Sequence, residues 1–109
     1  MIVKRYSIYL ANLDPTIGSE IRKTRPVVIV SDDAMNKYLE TVVACPLTTQ
    51  LHPEWRSRIQ TTCEGKPAEI AVDQIRTISK LRLIKKLDRL PPTDITLLRQ
   101  LITEMYGES

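Results

Sequence analysis

The chain has 109 residues, which is enough for one domain, spanning residues 1–109, with one modest hydrophobic core. Hydrophobic residues make up 42% of it, which excludes a disordered tail, and aromatic residues only 5%, without any phenylalanine, so leucine and β-branched side chains must fill the core. The formal net charge of +3 is too small to indicate a nucleic-acid partner by itself.

The first half of the chain predicts three strands, a long loop and a short helical turn. Alternating or β-branched residues predict strands at 5–13, 25–31 and 41–48, with a loop at 14–24 and a helical turn at 32–39. Either Ser31 or Asp32 can act as the N-cap of that turn. Because Pro46 has no N–H to donate, it predicts a bulge, or the end of pairing on one side, in the third strand.

The second half predicts more short strands and a closing helix. Strands are predicted at 56–62, 68–72 and 83–90, with a further extended segment at 73–78 and one helical turn at 79–82. The sequence therefore predicts a mainly β fold with a C-terminal helix, a small barrel or curled sheet of about six or seven strands.

The predicted C-terminal helix starts near Pro92, which fits a first helical turn. Thr93 and Asp94 favour the helix N-terminus through capping and through the helix dipole, and Gly107 ends the helix. Apolar residues then repeat at three- and four-residue steps and form one stripe that we expect to pack on the sheet. Its members are Ile95, Leu98, Leu101, Ile102 and Met105.

Positive charge is concentrated in a few segments. Arg25 lies where the long loop becomes a strand, and Pro26 holds it in an extended conformation, which suits a phosphate ligand. On the local pattern alone, an ordinary solvated arginine is the commoner interpretation. Residues 76–89 contain six cationic residues and only one acidic residue, Asp88. The cationic residues are Arg76, Lys80, Arg82, Lys85, Lys86 and Arg89. A surface that gathers such clusters would attract a polyanion.

Several classes of function are disfavoured. The chain has one histidine, His52, and its two cysteines, Cys45 and Cys63, lack the spacing of metal ligands, so we expect no metal and no cofactor. His52 is the sole base for a hydrolase triad and is expected at the surface. Glu69 and Asp73 could converge with Glu20 in space, although no local metal-nuclease motif is present. There is no apolar segment of bilayer length and no signal peptide, which predicts a cytoplasmic protein without membrane contact.

RNA offers chemistry that needs few protein groups. Its 2′-OH can attack the adjacent phosphate, so the substrate supplies its own nucleophile. The protein then has to position the backbone, stabilise the added negative charge and move a proton. An arginine at a rigid strand start and a threonine hydroxyl can do much of this without a metal ion.

Four segments together resemble the MazF/PemK family of toxin endoribonucleases. They are Asp14-Pro15-Thr16-Ile17-Gly18-Ser19-Glu20, Thr24-Arg25-Pro26-Val27-Val28, Pro46-Leu47-Thr48-Thr49-Gln50 and Asp73-Gln74-Ile75-Arg76-Thr77. The resemblance implies an SH3-like, CcdB-like β-barrel with a C-terminal helix that acts as a homodimer. It also implies metal-independent cleavage of single-stranded RNA, leaving 2′,3′-cyclic phosphate and 5′-hydroxyl ends, and a cognate antitoxin with an acidic C-terminal tail.

The resemblance also assigns roles to residues. It implies that Arg25 stabilises the phosphorane and takes part in proton transfer, that Thr48 hydrogen-bonds the scissile phosphate, and that Glu20 is a base or orients Arg25. Asp73 is expected to line the base-reading groove. The remaining expected RNA contacts lie in two loops, and they are Ile17, Ser19 and Gln50.

The chain departs from the family pattern at three places. Tyr6-Ser7 stands where relatives have Gly-Asp or Gly-Glu, which removes an acid. Ala71 replaces an arginine two residues before Asp73, so catalysis should depend more heavily on Arg25. Arg22-Lys23 replaces a glycine pair and makes the loop more cationic.

Two alternatives remain open at this point. One is a non-catalytic poison on the same barrel, such as the CcdB-type gyrase inhibitors, whose terminal helix carries a tryptophan; here the sole tryptophan, Trp55, lies in a loop, which argues against it. The other is a catalytically dead relative that binds RNA or the antitoxin, and the Tyr6-Ser7 departure keeps it open.

Overall fold

The chain folds into a curled antiparallel sheet with a helix packed against it. The computed structural model describes residues 1–14 and 24–107. Within these residues the strands are β1 (Ser7–Asn12), β2 (Thr24–Ile29), β3 (Thr41–Thr48), β4 (Arg58–Cys63), β5 (Lys66–Ala71), β6 (Arg76–Ser79) and β7 (Leu83–Arg89). The helices are α1 (Asp33–Tyr38) and α2 (Pro92–Tyr106), and 3₁₀ turns occupy Val72–Gln74 and Lys80–Arg82. The predicted fold class, mainly β with about six or seven strands and a closing helix, is confirmed, and the strands number seven within the described residues.

The strand order is β4-β5-β3-β2-β1-β7, with β6 paired to β3. β3 changes partner along its length: residues 41–44 pair with β6, and Leu47 and Thr48 pair with β5. Pro46 lies at the change, where the missing N–H costs no ladder bond on that edge. The predicted end of pairing on one side is therefore confirmed.

Both faces of the curled sheet are buried, because side chains alternate between two core clusters. Ile8 and Val28 belong to the cluster that α2 covers, whereas Tyr9, Val27 and Ile29 belong to the other. The predicted helix stripe is confirmed: Leu98 and Leu101 are buried in the first cluster, and Ile95, Ile102 and Met105 pack against it. Neither described helix combines the length and the apolar character required to cross a bilayer.

The helix ends differ in how they are capped. Asp32 is the N-cap of α1, and its carboxylate accepts the N–H of Met35 (2.8 Å). The capping predicted for Thr93 and Asp94 is wrong: Pro91 occupies the N-cap position of α2 and no side chain caps it, so Thr93 already lies inside the first turn. Asp94 instead accepts the hydroxyl proton of Thr61 on β4 (2.6 Å), which ties α2 to the sheet.

The extended segment predicted at 73–78 is only partly correct. Residues 76–79 form β6, but Val72–Gln74 form a 3₁₀ turn that ends β5. The turn is fixed by its backbone: the N–H of Val72 donates to Ser57 O (3.1 Å), and the N–H of Ile75 donates to Val72 O (3.2 Å). Asp73 therefore projects from a turn and not from a strand.

Candidate active site

Arg25 and Thr48 line the same cleft. It has a volume of about 340 Å³ and lies between the start of β2, the end of β3 and the β4–β5 hairpin. Its lining residues are Arg25, Pro26, Leu47, Thr48, Thr49, Cys63, Glu64, Lys66, Pro67 and Ala68. The structure therefore brings together the two side chains on which the proposed chemistry depends most.

The strand register explains why Arg25 and Thr48 line the same cleft. β2 and β3 are antiparallel, with Val27 opposite Pro46 and Val28 opposite Cys45. Extending the same register by two residues puts Arg25 opposite Thr48. Directly opposite residues share one face of a sheet, with Cβ atoms about 5 Å apart.

The other wall of the cleft comes from a tight hairpin. Glu64 and Gly65 both have positive φ (51° and 77°), the pattern of the type I′ turn that suits two-residue hairpins. The turn pairs Cys63 with Lys66 and brings Lys66 to the cleft opposite Arg25 and Thr48. The cleft thus has two cationic side chains, Arg25 and Lys66, against the acid Glu64.

Thr48 is buried and its hydroxyl has a fixed place. The backbone N–H of Gln50 donates to Thr48 Oγ1 (3.1 Å), so the hydroxyl oxygen is held by the start of the following loop. Because this bond uses an oxygen lone pair, the hydroxyl can still donate its proton to a phosphate oxygen. The side chain of Gln50 is exposed at the same point of the loop.

A row of polar residues crosses the sheet beside the cleft. Thr48 on β3 lies opposite Glu69 on β5, and Glu69 lies opposite Gln60 on β4. Together with Arg25, these residues form a line across four strands on one face. Sequence reasoning did not find Gln60, and it considered Glu69 only as a metal ligand.

Glu69 is fully buried, and three donors hold its carboxylate. They are Arg58 Nη1 (2.7 Å to Oε2), Gln60 Nε2 (2.6 Å to Oε1) and the backbone N–H of His52 (2.5 Å to Oε1). Burial disfavours the charge, but the hydrogen bonds from Gln60, His52 and Arg58 prevail and lower the pKa of Glu69 below its ordinary value. Glu69 is therefore a buried anion that anchors the loop containing His52.

Arg58 joins Glu69 to Asp73. Its Nε donates to Asp73 Oδ1 (2.8 Å), and its side chain is only 7% exposed. Burial opposes ionisation of Asp73, yet the hydrogen bonds from Arg58 and Ser57 lower its pKa. The two carboxylates in turn raise the pKa of Arg58 despite its own burial.

Arg58 also bears on one departure from the family pattern. It lies directly opposite Ala71 on the neighbouring strand, and its guanidinium reaches Asp73. A guanidinium is thus present beside Asp73, although residue 71 does not supply it. Asp73 is not among the described residues that line the Arg25–Thr48 cleft.

Three predicted site residues, Ile17, Ser19 and Glu20, lie outside the described residues, and so do Arg22 and Lys23. Across residues 1–14 and 24–107, no three His, Cys, Asp or Glu side chains are grouped so that they could hold a metal ion. Between Glu69 and Asp73 the structure instead places Arg58, which forms a salt bridge to each of the two carboxylates.

The two cysteines are poor nucleophiles. Burial, with a smaller contribution from the charge of Asp73, raises the pKa of Cys45 to about 12. Burial also raises the pKa of Cys63, helped by Asp88 and Glu64. Because the thiolate is the reactive form, both thiols are inert at neutral pH.

Two residues of the salt-bridge network around Glu69, whose place at the site sequence reasoning did not identify, carried a signal. Glu69 interrupts the apolar run of β5, and a charged residue in a buried strand requires a partner. Arg58 begins an alternating strand that faces β5. Lys66 carried no signal beyond its position after the hairpin turn.

Comparison with known proteins gives a family match and a shared fold. The chain matches the family model described as PemK-like, MazF-like toxin of type II toxin-antitoxin system over residues 4–106. Its fold is similar to that of MazF from Deinococcus radiodurans, with a TM-score of 0.86 at 19% identity over 99% of both chains. At identities this low, a solved structure establishes the fold alone.

Two solved complexes share the fold as well. One is an endoribonuclease in complex with its cognate antitoxin from Mycobacterial species, with a TM-score of 0.79 at 21% identity over 99% of this chain and 96% of that chain. The other is a MazE–MazF structure from Deinococcus radiodurans, with a TM-score of 0.81 at 17% identity over 100% of this chain and 99% of that chain.

Proposed function

Because this chain belongs to the PemK-like, MazF-like family of toxins of type II toxin-antitoxin systems, we propose that it is an endoribonuclease of the mRNA interferase type. It cleaves single-stranded RNA at a short sequence without a metal ion, and it acts in the cytoplasm. The observation that carries this proposal is the shared cleft of Arg25 and Thr48. A guanidinium and a hydroxyl on one cleft can both donate hydrogen bonds to a phosphate that undergoes transesterification.

The reaction is an in-line displacement at phosphorus. The ribose 2′-oxygen forms a bond to the adjacent phosphorus, the bond from phosphorus to the 5′-oxygen breaks, and a 2′,3′-cyclic phosphate remains. The 2′-hydroxyl loses its proton, and the leaving 5′-oxygen gains one to become a 5′-hydroxyl. Negative charge develops on the non-bridging oxygens in between, where positioned donors contribute most.

Arg25 stabilises that developing charge and takes part in the proton transfer. Its extended backbone, set by Pro26 and by pairing with Ala11 on β1, holds the guanidinium at the cleft. Thr48 donates its hydroxyl proton to a non-bridging oxygen of the scissile phosphate. Glu20 is proposed as the acceptor of the 2′-hydroxyl proton or as the group that orients Arg25.

Other residues are proposed to hold the RNA strand. Lys66, on the opposite wall of the cleft, neutralises a phosphate charge. Gln50, together with Ile17 and Ser19 of the first loop, contacts the bases near the cut. Asp73, held by Arg58, accepts hydrogen bonds from base edges in the adjoining groove.

The proposed partners are a second copy of the chain and a cognate antitoxin. The two solved complexes with this fold, one of an endoribonuclease with its cognate antitoxin and one of MazE with MazF, support an antitoxin partner. An acidic C-terminal tail of that antitoxin would compete with RNA for the cationic cleft, because both ligands are polyanions.

The test is cleavage of a mixed-sequence single-stranded RNA by purified protein in EDTA, with the RNA ends identified by sequencing. Arg25→Ala and Thr48→Ala should each lower the cleavage rate by about 10²–10³-fold, the usual loss for one transition-state donor. Arg99→Ala and Thr96→Ala remove the same residue types from an exposed face of α2 and should cleave at the parent rate.

The outcomes separate the parts of the proposal. If Arg25→Ala and Thr48→Ala cut as fast as the parent, the site assignment is wrong. If EDTA abolishes cleavage, the metal-free mechanism is wrong. If the folded parent binds RNA and cuts none in any buffer, the protein is the non-catalytic binding module considered as the alternative.

A further inference from the structure

The loop between β3 and β4 presents two stacked rings. The ring centroids of His52 and Trp55 are 3.8 Å apart, and their planes differ by 8°. Trp55 is the sole tryptophan of the chain, and 44% of its surface is exposed to solvent. A large aromatic side chain is usually buried, so its exposure in an ordered stack suggests a ligand.

The stack is fixed before any ligand arrives. Arg58 Cζ lies 4.8 Å from the centroid of the Trp55 ring, and salt bridges to Glu69 and Asp73 hold that guanidinium in place. The backbone N–H of His52 donates to Glu69 (2.5 Å), and the N–H of Trp55 donates to His52 O (2.9 Å). Such preorganisation lowers the entropic cost of binding.

The stack also lies next to the proposed site of cleavage. Glu69 is the cross-strand neighbour of Thr48 and, at the same time, the acceptor for the backbone of His52. One buried side chain therefore sets the position of the ring pair relative to the cleft of Arg25 and Thr48. A strand whose phosphate contacted Thr48 would therefore run near the loop that carries these rings, since His52 follows Thr48 by four residues.

We propose that His52, with Trp55 stacked behind it, forms a platform for one nucleobase of the single-stranded RNA, next to the Arg25–Thr48 cleft. The base stacks on the face of the His52 ring that Trp55 does not cover, because His52 and the Arg58 guanidinium already occupy the faces of Trp55. This inference rests on the proposed function, because it assumes that an RNA strand occupies the cleft. Aromatic faces stack with every base, so the platform holds the strand and does not read its sequence. It therefore acts on RNA binding and leaves the bond-breaking step unchanged.

The sole tryptophan makes the platform observable by fluorescence. The probe is a mixed-sequence 2′-O-methyl RNA, which binds but has no free 2′-hydroxyl to react. The comparison probe is an oligomer of the same length whose sugars carry no bases. Stacking predicts that the first quenches Trp55 fluorescence, and that the second binds through its phosphates without equal quenching.

Variants test the same contact by fluorescence anisotropy of labelled probe. His52→Ala removes the stacking face and Trp55→Ala removes the ring that supports it, so each should weaken binding by about 5- to 150-fold, the range found when one base–aromatic stack is removed. Trp55→Phe keeps a ring and should recover most of the affinity. Leu51→Ala is the matched control: this leucine lies in the same loop and is 43% exposed but has no aromatic face, so binding should stay at the parent level. Thermal unfolding followed by circular dichroism confirms that each variant is folded.

Cleavage kinetics distinguish this inference from the proposed function. Trp55→Ala should raise KM and leave kcat near the parent value, with Trp55→Phe restoring KM. If the base-free oligomer quenches equally, or if Trp55→Ala binds like the parent, the platform is wrong even when RNA is cleaved. Selective quenching by the base-bearing probe, in a protein that cuts no RNA, would uphold the platform and refute the nuclease.

Discussion

Tyr6 adopts a backbone conformation that its side chain disfavours. Its φ of 67° lies in the left-handed region, which costs a residue with a Cβ atom about 1–2 kcal/mol. Neighbouring strands impose this conformation: the N–H of Tyr6 donates to Ile29 O (2.7 Å), and Tyr6 O accepts the N–H of Leu90 (2.9 Å). The ring packs against the core, but its buried hydroxyl has no partner among the described residues. A glycine would fit this backbone without strain.

A pair of substitutions isolates the backbone strain at Tyr6. Tyr6→Ala and Tyr6→Gly both delete the ring and its packing, but only alanine keeps the Cβ atom. The glycine variant should therefore be more stable than the alanine variant by about 1 kcal/mol, measured by urea denaturation. At Thr62, within strand β4, the order should be reversed, because glycine weakens an ordinary strand. A less stable glycine variant at both positions would refute the strain.

At the scale of strands and helices, local pattern predicted most of the fold. Alternation and β-branched runs predicted β1 to β5 and β7, and the apolar stripe predicted α2, because these signals depend on neighbouring residues alone. The helix begins at Pro92 as predicted, but capping by Thr93 failed, because Pro91 takes the N-cap position and Thr93 already lies in the first turn. The resemblance to the family, now confirmed by the family match, was visible in four short segments.

The polar row beside the cleft could not be predicted from the sequence, because it depends on how the strands are paired. Glu69 meets Thr48 and Gln60 only through the register of three strands, and a slip of one residue would turn every side chain to the opposite face. Arg58 likewise reaches Asp73 across a strand boundary. The spacing of residues along the chain does not show which of them become neighbours through strand register. Arg25 and Thr48 could be predicted because they lie within the family motifs.

Arg58 links β4, β5 and the turn after β5, so its loss should affect all three. Arg58→Ala leaves the buried Glu69 without its cation and should destabilise the fold by about 3–5 kcal/mol. Arg56→Ala, two residues earlier, breaks a bridge to Glu104 on a side chain that is 85% exposed, and should cost less than about 1 kcal/mol. Urea denaturation measures both values, and equal losses would show that the buried network contributes nothing specific.

The same network should make the free energy of unfolding depend on pH. The pKa values of Glu69 and Asp73 are lowered in the native state, so the unfolded chain binds protons first as the pH falls. Their contribution is complete at neutral pH and is lost progressively as the pH falls through about 4–5, the ordinary carboxyl range, toward the lower native pKa values. Glu69→Gln should be less stable than the parent at pH 7, and the difference should shrink by pH 3. Denaturation curves across this range test it, and a constant difference would contradict it.

Over the whole molecule, the cationic side chains discussed so far fall into two groups, one with internal contacts and one at the cleft. Part of the basic segment holds the chain together: Arg82 donates to the backbone carbonyls of Asn12 (3.0 Å) and Asp14, and Arg89 donates to the carbonyl of Arg5 (3.2 Å). These two cations are therefore committed to internal contacts. Arg25 and Lys66, in contrast, both line the cleft that contains Thr48.

Substitution of Lys66 tests whether the positive charge of the cleft contributes to the affinity for RNA. A lysine that neutralises one phosphate of a single strand releases counterions, so Lys66→Ala should weaken binding and reduce the slope of log affinity against log salt by about 0.7. Lys37→Ala removes the same charge from α1, where Lys37 lines a separate cleft of about 650 Å³, and should leave that slope unchanged. Anisotropy titrations of 2′-O-methyl RNA at several potassium chloride concentrations give both slopes. Equal effects of the two substitutions would mean that the RNA responds to overall charge and that the cleft of Arg25 and Thr48 is not its binding site.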